Sequence, residues 1–399
     1  MNVAVLGFGV VGSGVCEVLT KNEEQVQKRA GSELCLKYIL DVREFPESPF
    51  APCFVKDFSV IEADATVGIV VETMGGTTTA FDFTKRAFAA KKSVVTSNKE
   101  LIAAHGCELM RLAQEQGVNY LFEASVGGGI PIIRPMLQCL AANDITEISG
   151  ILNGTTNFML TRMIRNGLTF QQALGEAQEK GYAERDPAAD VEGHDSCRKI
   201  CILASLAYGW RIDPDCVPTE GILDVSLADI AYADAHECKV KLLGRAVRMG
   251  DGKICVYVAP HLVKSDDPLA GVEDVFNAIT VSGDAVGDVM FYGRGAGKLP
   301  TASAVVADMI DIAKGRTSTV LWTEAEEEMT ISPALLSSAF YVRMKGSAEW
   351  ARSHFSGVSM LARAGAPTDE VGFVTPVMFE GELREILKDE TVYHVLRVL

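Results

Sequence analysis

The chain opens on a short apolar run, Asn2 to Leu6, that leads straight into Gly7-Phe8-Gly9-Val10-Val11-Gly12 and then an apolar helical stretch, Ser13 to Leu19. Few short patterns restrict a fold so much. Glycines at this spacing allow a tight turn and close approach of backbone to a pyrophosphate, while the helix start supplies amides and a positive dipole end. A lone Gly-x-Gly-x-x-Gly is a weak signal, but between a strand and a helix it predicts a dinucleotide-binding βα unit.

More βα units follow. The second strand, Leu36 to Arg43, ends at Asp41, and an acid there usually accepts hydrogen bonds from the adenosine ribose of NAD. Arg43 could instead hold the 2′-phosphate of NADP, so both cofactors stay open. Spacing from the glycines is lengthened by a polar helical extension around residues 21 to 33. Val67 to Gly76 reads as a buried strand and glycine turn followed by a helix, Phe81 to Ala90; Lys92 to Lys99 and Tyr120 to Pro131 read as further strands. Strands alternating with helices specify a parallel sheet with ligands at its carboxyl ends. Lys99 falls at such an end, where a nicotinamide should lie; a surface lysine capping a loop is the alternative.

At 399 residues the chain is expected to form two or three domains. Its 48% hydrophobic and 23% charged residues suit a globular protein. A formal charge of −16 with no basic run argues against nucleic acid as a partner. No segment is long enough to span a bilayer, and no basic start or cleavage site resembles a signal peptide. Ten scattered cysteines lack a disulfide-framework spacing, so a reduced, cytoplasmic setting is expected. His194, Cys197 and Cys201 could share a helical face, yet the usual four-ligand zinc spacing is missing.

The segment Ala177 to Lys199 carries the densest chemistry. Gly181-Tyr182 leads through an acidic loop containing Glu184, Asp186-Pro187 and Asp190 into a mostly apolar helix bearing Asp195 and Lys199. Four residues apart, these two stack on one helical face. Natural cores seldom keep a carboxylate and an ammonium for stability alone. Either they form a buried structural pair, or Lys199 handles a proton or a developing oxyanion. Before it, Asn153-Gly154-Thr155-Thr156-Asn157 turns a strand end into a helix, which suits either anion binding or ordinary capping.

Taken in order, these segments resemble homoserine dehydrogenases. The resemblance rests on Gly7 to Gly12, Ser97-Asn98-Lys99, Glu123 to Pro131, Asn153 to Asn157, Ala177 to Lys199 and Tyr292 to Thr301, across roughly the first 315 residues. It implies reversible reduction of L-aspartate 4-semialdehyde to L-homoserine with NAD or NADP, within threonine and methionine biosynthesis. Lys199 would donate the proton or stabilise the alkoxide, oriented by Asp195, with Lys99 near nicotinamide and substrate; which lysine moves the proton stays open. Glu184, Asp190 and Tyr182 would hold the substrate's amino end, and Gly154 with Thr155 its polar groups. Gly7, Phe8, Gly9, Val10, Val11, Gly12, Arg43, Ser97, Lys99, Gly295 and Gly297 would contact the cofactor. A monovalent cation, usually sodium in family members, would sit near Glu123 on the carbonyls of Val126, Gly128 and Ile130. Homodimers or larger homo-oligomers are implied.

The implied fold is α/β: a Rossmann-like dinucleotide-binding domain over 1–130 to which helix 300–314 returns, an α+β catalytic and dimerisation domain over 131–299, and a small α+β module over 335–399. A linker spans 316–334, with an acidic cluster at Glu324 to Glu328. The tail resembles the βαββαβ regulatory module called the ACT domain. Its pattern reads as a strand at Ala339 to Lys345, a helix at Glu349 to Ala364, a strand at Val371 to Phe379, a short helix to Leu387 and a last strand at Tyr393 to Leu399. One strand is missing after the first helix, so threonine as an effector stays open.

Two other readings compete. A semialdehyde-phosphorylating enzyme of the same architecture would need an activated cysteine, and none sits in a convincing nucleophilic turn beside a histidine. A catalytically silent amino-acid sensor would have no need of Lys99 together with Asp195 and Lys199.

Overall fold

The computed structural model describes residues 1–250, 252–316, 320–325 and 329–399. The chain divides into two compact units, Met1–Asn143 with Cys201–Pro214 and Gly293–Glu326, and Asp144–Ile200 with Asp215–Tyr292 and Glu327–Leu399.

The first unit is built on a six-stranded sheet of order β3-β2-β1-β4-β5-β6. Its strands are β1 (Asn2–Leu6), β2 (Cys35–Leu40), β3 (Phe54–Val55), β4 (Val67–Glu72), β5 (Ser93–Thr96) and β6 (Tyr120–Leu121). Every neighbouring pair is parallel. Parallel strands are covered on both faces, so they read as continuous apolar runs. Val3, Val5, Ile69, Val71 and Val95 are buried in one cluster with Val15 and Cys16 of the helix Val10–Lys21. Ala302, Val305 and Met309 of the helix Lys298–Ala313 join that cluster. A Cβ on Gly14 would come within 2.7 Å of the Lys298 carbonyl oxygen, so a glycine is needed where the two helices meet.

The second unit carries a ten-stranded sheet of order β11-β10-β7-β8-β9-β16-β12-β14-β13, with β15 paired to β12 off that path. Its strands are β7 (Ile145–Ile151), β8 (Cys238–Arg248), β9 (Ile254–Lys264), β10 (Phe276–Gly283) and β11 (Gly287–Arg294), then β12 (Ser337–Lys345), β13 (Ser359–Leu361), β14 (Glu370–Val374), β15 (Met378–Phe379) and β16 (Val392–Val398). Last in the chain, β16 pairs parallel with β9 through Arg397↔His261 and Val398↔Leu262, so the tail extends the sheet of the second unit.

The tail departs from its sequence reading. The helix expected over Glu349 to Ala364 is Ala348–His354 only, and the strand thought missing is β13, antiparallel to β14. Ser347 caps that helix and Gly357 follows it at φ +85, so the chain turns before a longer helix can form. The complete order is βαββαβ, with β15 a short addition before the helix Glu380–Leu387. Parts of the expected linker and its acidic cluster, 317–319 and 326–328, lie outside the described residues. Around them Trp322 is buried and Ile254 donates to the carbonyl of Met329.

Candidate active site

The glycine loop is made by backbone geometry. Gly7 takes φ +90, and a Cβ on Gly12 would lie 1.9 Å from the Gly7 carbonyl oxygen. Nothing lies within 4 Å of a Cβ built on Gly9, which leaves open space over the loop where the helix Val10–Lys21 begins. Open space at a helix start suits a pyrophosphate, and Val10 is two-thirds exposed with Val11 half-buried beside it.

The Phe8 amide donates to Asp41 Oδ2 at 2.7 Å, which ties the loop to the end of β2. Arg43 grips the same carboxylate from Nε to Oδ1 at 3.0 Å and from Nη2 to Oδ2 at 2.9 Å. The Arg43 guanidinium holds the Asp41 carboxyl far below the usual carboxylate range, aided by the Arg43 and Phe8 amides and opposed by burial. In this state the acid expected to read the ribose and the base expected to read a 2′-phosphate are engaged with each other.

Ser97 is half-buried, and Lys99 is the first residue of the helix Lys99–Gln116, whose cap is Asn98. The loop after β6 is closely packed. A Cβ on Gly128 would lie 2.2 Å from the Gly295 carbonyl oxygen, and Gly129 donates to the Arg294 carbonyl at 3.1 Å. Gly297 follows at φ +121 and precedes the helix Lys298–Ala313.

Glu123, buried, accepts from the amides of Ile132 and Ile133 at Oε1 and of Arg134 at Oε2, so its carboxylate caps the helix Ile133–Gln138. The residues Val126, Gly128 and Ile130 are buried too, and no described hydrogen bond ends on their carbonyl oxygens. Buried carbonyls of that kind suit a hard cation. The Glu123 side chain beside them is itself committed to amides.

In the second unit, β7 ends at Ile151 and the chain turns at Leu152 and Asn153 into the helix Gly154–Asn166. Lys199 projects from the helix His194–Tyr208 into this turn. Its Nζ donates to the Leu152 carbonyl at 2.8 Å and to Asp195 Oδ2 at 2.7 Å. Both side chains are about nine-tenths buried. Two of the ammonium's three hydrogens are thus placed, and the third has no partner among the described residues.

The sequence places Asn153 in a motif without pointing to what its side chain does. Its Oδ1 caps the helix by accepting from the Thr156 amide at 2.8 Å. Its Nδ2 donates to Asp190 Oδ1 at 2.7 Å and to Asp195 Oδ2 at 2.9 Å. Asparagine before a helix signals a cap in any sequence; that its amide meets residues 37 and 42 positions later does not show there. Burial raises the Asp190 carboxyl above its ordinary range, with the Asn153 hydrogen bond opposing and the Asp195 charge adding to the rise.

Thr155 Oγ1 donates to the Tyr182 carbonyl at 2.7 Å, and the Tyr182 ring meets Phe158 edge-on at 5.1 Å. A Cβ on Gly154 would lie 2.8 Å from the Val275 carbonyl oxygen. Asn153, Gly154, Thr155, Tyr182, Asp190, Asp195 and Lys199 therefore lie in one neighbourhood, whereas the Glu184 side chain is exposed and only its carbonyl is held, by Gln178 at 3.0 Å. Among the described residues no group of three His, Cys, Asp or Glu is placed to hold a metal ion, His194, Cys197 and Cys201 included. Among the described residues no helix is long and apolar enough to cross a membrane.

A parallel sheet with a glycine loop in one unit, and a buried lysine whose third N–H is unpartnered among the described residues in the other, are the features of a nicotinamide-dependent oxidoreductase. Residues 7–123 match the model of the homoserine dehydrogenase NAD binding domain, and residues 131–310 match that of homoserine dehydrogenase. A homoserine dehydrogenase of Pseudomonas aeruginosa is 43% identical over 319 residues, covering 80% of this chain and 73% of that one. The crystal structure of a homoserine dehydrogenase from Thiobacillus denitrificans aligns with a TM-score of 0.90 at 33% identity, covering 100% of this chain and 98% of that one. A hyperthermophilic archaeal homoserine dehydrogenase in complex with NADPH aligns with a TM-score of 0.67 at 30% identity, covering 80% of this chain and 99% of that one. The chain belongs to the homoserine dehydrogenase family, and its activity is the oxidoreductase activity of that family.

Proposed function

We propose that the chain interconverts L-aspartate 4-semialdehyde and L-homoserine with Lys199 as the group that meets the reacting oxygen. The observation that carries this is the third N–H of the Lys199 ammonium, unpartnered among the described residues, while the other two hydrogens are fixed by Leu152 and Asp195. Reducing an aldehyde builds negative charge on its oxygen, and an ammonium already held in place stabilises that charge without reorganising. Bound NAD(P) supplies the hydride.

Lys199 either donates its proton to the alkoxide or stabilises it while another donor acts. Asp195 and the Leu152 carbonyl keep the ammonium from rotating away. Asp190 and Asp195 against one lysine leave a local excess of negative charge, which suits the substrate's amino group. Asp190 takes that group, with Tyr182 beside it and Gly154 and Thr155 meeting its polar atoms, while the exposed Glu184 side chain contributes charge from the rim. Lys99, at the start of its helix, serves nicotinamide and substrate.

NADP is the preferred cofactor in this reading, with Arg43 turning from Asp41 to the 2′-phosphate. Gly7 to Gly12, Ser97, Gly295 and Gly297 supply the remaining cofactor contacts. A monovalent cation, sodium in the simplest case, rests on the carbonyls of Val126, Gly128 and Ile130 beside Glu123 and stiffens that loop. The protein works in the cytoplasm as a homodimer or larger homo-oligomer in threonine and methionine biosynthesis. The βαββαβ order of the tail supports an ACT-like module, with threonine as its candidate effector.

The test is spectrophotometric: homoserine with NAD or NADP in turn, following the reduced nicotinamide. Turnover that Lys199→Ala abolishes in a folded protein supports the assignment. Binding of cofactor and amino acid without turnover would return the sensor reading to the front.

A further inference from the structure

Glu72 ends β4 with no exposed surface, in the middle of the six-stranded sheet, on a strand whose other buried residues are apolar. A buried carboxyl is expensive, and nothing in the proposed chemistry uses it. Its partners explain its presence. Oε1 accepts from the Met74 amide at 2.7 Å, and Oε2 accepts from Thr96 Oγ1 at 2.6 Å. One carboxyl thereby joins the turn after β4 to the end of β5.

The bonds continue on both sides. Toward β5, Thr96 Oγ1 accepts from the Asn98 amide at 2.9 Å, and Asn98 Nδ2 donates to the Gly76 carbonyl at 2.8 Å. Asn98 Oδ1 then caps the helix that begins at Lys99 by accepting from the Leu101 amide at 3.1 Å. Toward β1, Thr73 Oγ1 donates to the carbonyls of Leu6 at 2.9 Å and Gly7 at 3.1 Å. A continuous belt crosses the carboxyl ends of β1, β4 and β5, from the glycine loop to Lys99, with Glu72 at its centre. Thr96 is fully buried and Asn98 nearly so, so water cannot easily replace these bonds.

We infer that Glu72 is a positioning residue for the nicotinamide end of the cofactor site, holding the turn at 73–76 and the turn at 97–99 in register with the glycine loop. The inference rests on the reading of this unit as the cofactor-binding half of the dehydrogenase. A bound nicotinamide would lie against those two turns, and a strand-end residue serving only the core would have no reason to be a carboxyl.

The experiment compares wild type with Glu72→Ala, Thr96→Val and Glu72→Gln in the full-length protein. NADH and NADPH binding is followed by fluorescence titration, KM is measured separately for cofactor and homoserine, and thermal unfolding is recorded for each. Glu72→Ala and Thr96→Val are expected to raise the cofactor Kd and KM by about tenfold, the scale of losing one or two buried hydrogen bonds, with the homoserine KM within about twofold. Glu72→Gln, which can still accept from Met74, is expected to recover most of the cofactor affinity. Thr96→Val keeps the volume and guards against a Glu72→Ala protein that does not fold. Wild-type cofactor affinity in a folded Thr96→Val protein overturns the inference, as does an equal rise in both KM values. Since titration needs no turnover, a wild type that binds cofactor but does not oxidise homoserine counts against the reaction alone, and the variant series still decides Glu72. A wild type that binds neither reduced nicotinamide overturns both.

Discussion

Asn153 donates from Nδ2 to Asp190 at 2.7 Å while its own Oδ1 caps the helix Gly154–Asn166, so one side chain fixes a helix start and a pocket carboxylate together. The same Nδ2 reaches Asp195 at 2.9 Å. Asn153→Ala should cost about 1–3 kcal/mol of stability, from the lost cap and two poorly partnered carboxylates. Asn153→Asp keeps a capping oxygen but adds a third acid, so it should retain more stability and still lose turnover. Chemical denaturation beside kcat separates the two effects.

Lys199→Ala should lower kcat by about 10²–10⁴-fold, the usual contribution of a placed proton donor or charge. Asp195→Asn should keep the hydrogen bond to the ammonium in part while removing the countercharge, with a smaller loss. Single-turnover rates would show it; a mild effect at Lys199 would shift the chemical role to Lys99.

The Arg43 side chain is more than half exposed and its guanidinium binds Asp41 with two hydrogen bonds, so Arg43→Ala should leave stability little changed. Cofactor choice should respond instead. Without the guanidinium, the bared Asp41 carboxylate repels a 2′-phosphate and is free to accept from a ribose hydroxyl. kcat/KM with NADP should fall about tenfold or more, while that with NAD holds or rises.

Burial raises Glu72 from its ordinary 4.5 to about 7, against the hydrogen bonds from Thr96 and Met74. A raised folded pKa means the folded protein holds a proton that the unfolded chain releases. This contribution to stability is therefore complete below about pH 4.5 and is lost as pH rises through 7. Wild type should lose on the order of 3 kcal/mol relative to Glu72→Gln between pH 4.5 and 8, measured by urea unfolding at each pH. A constant difference between the two proteins would show that Glu72 does not titrate there.

Asp229 is fully buried and accepts from Arg343 Nε at 2.8 Å and Tyr341 Oη at 3.0 Å, both on β12. Ser226 also bonds it in a capping box at the start of the helix Leu227–Ala235. Removing one partner of a buried ion pair typically costs 3–5 kcal/mol, so Asp229→Ala should destabilise by about that much. Arg343 keeps Glu370 at 3.2 Å, which places the expected loss at the lower end. Limited proteolysis should cut the tail faster in the variant.

The sequence by itself specified what depends on neighbours along the chain. Asn2 to Leu6 and the glycines after it made a strand, a turn and a helix because their requirements are local, and the 195–199 spacing placed carboxylate and ammonium on one helical face. Alternating strands and helices then implied a parallel first sheet. Only tertiary structure decided what depends on distant pairing. Three-residue β13 is too short to show an alternating pattern and exists because β14 lies beside it. The union of β16 with β9 joins residues about 135 apart in the chain, and no local preference encodes it. Likewise, the polar reach of Asn153 and Glu72 became visible only when separate segments met. Hydrogen-bond partners across a fold are chosen by geometry that packing sets, and a side chain's identity names its capacity to bond without naming its partner.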